Sequence, residues 1–132
     1  MDNGNKTGLI KIDSELLKAL NDNTIVITAF DEDILALESI VAGTSYLNLS
    51  KTEREIALGQ TVLSLVREPE NKFDQFAVKV LFNGQKLGYI PRSKNQTIAR
   101  LMDVGKQFYA KVTHKEWEGK WLRMDLQVYL KE

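Results

Sequence analysis

The stretch from Phe76 to Ile90 constrains the fold more than any other part of the sequence. Phe76, Val78, Val80 and Phe82 alternate with Ala77, Lys79 and Leu81, a period of two that buries one face of a strand. Asn83-Gly84 follows, the pair a type I′ turn prefers because both of its central positions need positive φ. Gln85 to Ile90 is the partner strand, and Pro91 closes it. The same alternation returns in Thr61 to Val66, in Phe108, Ala110 and Val112, and in Leu122, Met124, Leu126, Val128 and Leu130, with a turn near Glu118-Gly119. Ser39 to Tyr46 is apolar and β-prone and reads as a further strand, and Asn48 to Gln60 as a loop or short helix.

One helix interrupts this pattern. Ser93 and Gln96 have the spacing of a capping box, Ile98, Leu101 and Met102 share a helical face, and Gly105 stands just past its end. Strands joined by local hairpins, with no alternation of strand and helix, predict a mainly β (α+β) fold, a small antiparallel barrel or sandwich capped by a helix. At 132 residues the chain has room for one such domain and an extension. The boundary is expected at residue 38, with 1–37 as an acidic N-terminal extension and 38–132 as the barrel. In the extension, Ile12, Leu16, Leu17 and Leu20 predict a short helix behind Asp13 or Ser14, Ile25 to Phe30 a strand, and Asp31 or Asp33 the cap of a helical turn through Leu35 and Leu37. This segment is expected to pack on the barrel.

Charge separates the same two regions. Residues 1–38 hold three Lys and eight acids, whereas residues 72–115 hold nine bases against Asp74 and Asp103. The chain has no cysteine, which excludes disulfides, thiolate catalysis and Cys-ligated metals and fits a cytoplasmic location. The opening residues show no signal peptide, and no apolar run approaches the ~20 residues that span a bilayer. His114 is the single histidine and reads as a surface strand residue. There is no glycine-rich phosphate loop. No catalytic residue, metal ligand or cofactor is therefore expected. Glu53, Glu55, Glu68, Glu70 and Asp74 are the carboxylates from which a metal-dependent nuclease would have to be built.

Lysines interleaved with rings are the usual equipment for single-stranded nucleic acid, since cations follow the backbone and rings stack on bases. Phe76, Phe82 and Phe108 belong to buried alternations. Tyr46, Phe73 and Tyr89 remain, near strand ends and loops. A different surface, Trp121, Arg123 and Tyr129 on the outer side of the last strand, suits a protein-interaction adaptor unless the acidic segment covers it.

The residues also carry a family resemblance. Val41-Ala42-Gly43-Thr44-Ser45-Tyr46, then Val66-Arg67-Glu68-Pro69-Glu70-Asn71-Lys72-Phe73-Asp74-Gln75-Phe76-Ala77, then Leu87-Gly88-Tyr89-Ile90-Pro91 resemble the HIRAN domain over about residues 38–130. The resemblance implies an OB-like or SH3-like barrel, of the free-standing kind found in bacteria and phages. It implies binding of single-stranded DNA at a free 3′ end, in repair or replication-fork processing, with a separate helicase or nuclease as partner. Carried over by position, Tyr46 would be a stacking ring, Phe73 a second aromatic wall and Asp74 the acceptor for the 3′-hydroxyl. Tyr89 would stand where a relative has histidine near the terminal phosphodiester. Ser45 and Leu47 occupy positions where eukaryotic binders have arginine and tyrosine, and Lys72, Lys79, Arg92 and Lys94 would supply phosphate contacts instead. Asn71 and Asp74 have a second role open to them, since Asx side chains after a proline cap turns.

Overall fold

The computed structural model describes residues 33–132. The helix expected near Leu16 and the strand expected from Ile25 lie outside them. Six strands follow: β1 (Ile34–Ile40), β2 (Val62–Arg67), β3 (Val78–Phe82), β4 (Gln85–Tyr89), β5 (Phe108–Glu118) and β6 (Trp121–Leu130). They form one antiparallel sheet in the order β1-β6-β5-β2-β3-β4. Two short helices, α1 (Ser50–Glu55) and α2 (Gln96–Asp103), and a 3-10 turn at Thr44–Tyr46 complete the fold.

The sheet curls until its two edge strands meet. Just beyond β1, Ala42 pairs with Tyr89 of β4: the Ala42 amide donates to the Tyr89 carbonyl at 2.8 Å, and the Tyr89 amide donates back at 2.9 Å. This contact closes a barrel-like ring and removes an exposed edge. Gly88 makes the approach possible, because a Cβ there would lie 2.2 Å from the Ala42 carbonyl oxygen.

The core follows the period-two reading. Leu63 and Leu65, Val78 and Val80, Ala110 and Val112, and Leu122 to Val128 in alternate positions are all buried. Each fully buried aliphatic side chain contributes about 1.5 to 3 kcal/mol relative to exposure. Phe76 and Phe82 pack on the core while partly exposed. Asn83 and Gly84 take φ of 49° and 82°, as the turn between β3 and β4 requires.

Three local readings differ from the structure. Residues 34–37 are strand, not helix: β1 starts at Ile34, pairs with β6, and carries a register shift between Leu35 and Leu37 that interrupts the alternation. The carboxylate of Asp33 does not cap a helix but accepts from the Tyr109 hydroxyl at 2.7 Å and from the Glu132 amide at 3.0 Å. Second, Ser39–Tyr46 is not one strand. Gly43 adopts φ 87°, open to glycine at little cost, and turns the chain into the 3-10 segment. The buried Thr44 fixes that segment by donating to the Leu122 carbonyl at 2.8 Å and accepting from the Leu122 amide at 3.2 Å. Third, the N-cap of α2 is Asn95 rather than Ser93, and its side chain makes no capping bond because it is engaged with Asp74. The other end of α2 is as expected, with the Gly105 amide donating to the Met102 carbonyl and the Lys106 amide to that of Leu101, the Schellman pattern.

Candidate functional site

The loop from Arg67 to Ala77 is held by backbone bonds from Glu68 to Ala77, Asn71 to Glu68 and Ala77 to Asp74, and by a set of side-chain bonds. Arg67 forms a two-pronged pair with Asp103 of α2, at 2.9 and 3.3 Å, and donates to the carbonyls of Ala77 and Gln75 at 2.6 and 3.0 Å. Asn71 Oδ1 accepts from the amides of Phe73 and Asp74 at 2.8 and 3.1 Å. Asp74 Oδ1 accepts from the Phe76 amide at 2.9 Å, and Asp74 Oδ2 from the buried Asn95 Nδ2 at 2.7 Å. Both Asx side chains thus cap turns. Asp74 is half-buried, and a carboxylate has about four acceptor sites, so its two bonds leave capacity for another donor.

Glu68 ties this loop to β4. Its Oε1 accepts from Asn71 Nδ2 at 3.0 Å and from the Tyr89 hydroxyl at 2.8 Å, and its Oε2 lies 3.2 Å from Lys79 Nζ. The Asn71 bond, with smaller help from Tyr89 and Lys79, holds the Glu68 carboxyl below its ordinary range despite opposing desolvation. Burial, then the bond to Glu68, pushes the Tyr89 phenol up. Lys86 Nζ sits 5.0 Å from the Tyr89 ring centroid.

Tyr89 therefore connects two turns, each of which projects a ring into solvent. Its hydroxyl leads through Glu68 and Asn71 to the turn bearing Phe73, which is 85% exposed. Its backbone pairs with Ala42, next to the Gly43 turn bearing Tyr46, which is 89% exposed. Such exposure of two large rings is uncommon for side chains whose burial is strongly favourable.

The remaining site candidates divide. Ser45 and Tyr46 line an open cleft of 490 Å³ with Asn48, Trp117, Gly119 and Lys120, and neither Phe73 nor Asp74 lines it. Nothing in the sequence marks Trp117 for this site. The long β5–β6 hairpin brings its tip to the 3-10 turn, and residue spacing carries no signal of that. Lys72 and Arg92 are exposed. Lys94 faces another cleft: its Nζ donates to the Glu38 carbonyl at 3.0 Å, and it lines that cleft with Arg123 and Asp125.

The carboxylates considered for a metal are engaged or apart. Glu53 lies 3.1 Å from Lys115 Nζ, Glu68 and Asp74 have the partners above, and Glu55 and Glu70 are exposed. Among the described residues no three His, Asp or Glu side chains converge as a ligand set, and no helix is long and apolar enough to cross a membrane. His114 is exposed, 3.2 Å from Glu116 Oε1. On the outer side of β6, Arg123 pairs with Asp125 at 3.3 Å, while Tyr129 donates to Gln127 and stacks on Tyr109 with centroids 5.3 Å apart.

The chain is similar to known proteins in this same region. The sequence model of the HIRAN domain matches residues 34–132. The crystal structure of a Lactobacillus plantarum protein is 30% identical, with a TM-score of 0.64 over 76% of this chain and 97% of that one. The crystal structure of the HIRAN domain of human HLTF shares the fold at 23% identity, with a TM-score of 0.56 over 71% of this chain and 73% of that one. No match is found among the curated proteins. The family match spans every described strand and helix, and the chain belongs to the HIRAN domain family.

Proposed function

We propose that the protein is a non-enzymatic DNA-binding module that takes single-stranded ends, with preference for a free 3′-hydroxyl. The observation that carries this is the tie made by Tyr89 between the Tyr46 and Phe73 turns, which leaves both rings exposed on braced backbone. With the backbone beneath them braced, only the rings' own rotamers have to be ordered on stacking, and base stacking contributes about 1 to 3 kcal/mol per base. Trp117 shares the cleft of Tyr46 and supplies a further ring near it, with Lys120 beside it for a phosphate. Asp74 gives the reading its polarity. A carboxylate accepts from a terminal hydroxyl and repels a terminal phosphate, so one group both favours the right end and disfavours the wrong one.

Lys72 and Arg92 supply backbone contacts, whereas Lys94, bonded to the Glu38 carbonyl, is the least suited of the expected cations. A repair or fork-processing role with a separate helicase or nuclease is the setting this activity fits. The test is the affinity of one oligonucleotide prepared with a 3′-hydroxyl and with a 3′-phosphate. Tighter binding of the hydroxyl form is expected. Equal affinities would remove end recognition, and absence of binding at low salt would remove DNA.

A further inference from the structure

A groove on the outer face of β2 and β5 lies away from the rings discussed above. Its volume is 800 Å³, and its floor includes Val62, Val66, Met102 and Tyr109. Val62 is 57% exposed and Val66 40%, on a strand whose alternate residues Leu63 and Leu65 fill the core. Outward sheet positions of this kind are ordinarily polar. The rim is cationic: Lys106, Lys111 and Lys131 line it, Arg67 is already paired with Asp103, and among the described residues no acidic side chain lines the groove. An occupant should therefore combine apolar and acidic residues.

We propose that residues 1–32 of the same chain dock in this groove. Asp33 is fixed beside it, since its carboxylate accepts from the hydroxyl of Tyr109, a groove residue, and from the amide of Glu132, next to the groove residue Lys131. The described chain therefore begins at the groove's rim. Those residues carry six acids against three lysines, and they include the apolar set Ile12, Leu16, Leu17 and Leu20. Charge and hydropathy complement the groove in both respects. A short tether gives an effective concentration on the order of millimolar, so a weak individual affinity suffices to keep the groove occupied.

The absence of cysteine makes the test selective, because Gln60→Cys, at an exposed position two residues before Val62 and outside the groove lining, creates a single labelling site in the full chain. A nitroxide placed there should strip most of the NMR signal intensity from residues 12–20 of the same molecule. The loss should be independent of protein concentration and should be abolished by Leu16→Asp with Leu17→Asp, and signals of the described core should stay in place in both proteins. Intensities in residues 12–20 that match the diamagnetic control would overturn the proposal. So would broadening that appears only between labelled and unlabelled chains, which would assign the groove to a second copy. Broadening that survives the double substitution would equally overturn it, since seating through the leucines would then be excluded.

Discussion

Tyr89 donates its phenolic hydrogen to Glu68 Oε1 at 2.8 Å, and the same residue pairs through its backbone with Ala42. One residue thereby couples, by its hydroxyl and its backbone, the loop that bears Phe73 to the turn that bears Tyr46. Tyr89→Phe removes the donor and leaves Glu68 with Asn71 and Lys79. The expected cost is about 1 kcal/mol of stability, the usual worth of one such bond. End binding should weaken with it, because the Phe73 turn loses a brace. Denaturant titration and fluorescence anisotropy on the same samples check both.

Gly88→Ala should be costlier than its size suggests. The added methyl group meets the Ala42 carbonyl oxygen at 2.2 Å and Val41 Cγ1 at 2.7 Å, and one of these contacts is backbone. Overpacking of this kind costs about 1 to 3 kcal/mol or more, and relief requires separating β4 from Ala42. A lower denaturation midpoint together with weakened binding is expected. A midpoint equal to wild type would show that the Ala42–Tyr89 closure is dispensable.

Tyr46→Ala and Phe73→Ala separate binding from folding. Both rings are almost fully in water, so each substitution should alter stability by no more than about 0.5 kcal/mol. Each should weaken oligonucleotide binding roughly tenfold or more if it removes a stacked base. Thermal melts and binding titrations read the two quantities independently.

Much of this architecture is visible in the amino-acid order, and the parts that are not share a cause. The strands around Asn83-Gly84 and the end of α2 at Gly105 depend on residues close in sequence, so periodicity and turn chemistry find them. β1 is hidden because its register shift between Leu35 and Leu37 breaks the alternation, and because Asp33, which resembles a helix cap, spends its carboxylate on Tyr109 and Glu132 far along the chain. Ser93 fails as the N-cap for a related reason: Asn95, 21 positions from Asp74, is drawn into its turn. In the site, the family block marks Phe73, Asp74 and Tyr89, while the tie through Glu68 and the approach of Trp117 to Tyr46 exist only after folding.

Stability should fall on the acid side. Glu68 and Asp33 have carboxyls held below their ordinary values of 4.5 and 3.8, Glu68 chiefly by Asn71 and Asp33 chiefly by Tyr109. Groups depressed in the folded state contribute stability above their unfolded values and lose it as pH falls through the folded ones. The denaturation midpoint should therefore change little on account of these groups near neutrality and decline from about pH 5.5 downward, where protonation of Glu68 in the unfolded chain begins. Glu68→Gln should reduce that decline, measured by urea titration across the acid range.

The role assigned to Asp74 is tested most directly by the ratio of affinities for 3′-hydroxyl and 3′-phosphate oligonucleotides, measured in the wild-type chain and in Asp74→Asn. Wild type should favour the hydroxyl, and removing the negative charge should bring the ratio close to one while the Phe76 turn persists. A wild-type ratio already at one, or a preference that Asp74→Asn leaves unchanged, would contradict it.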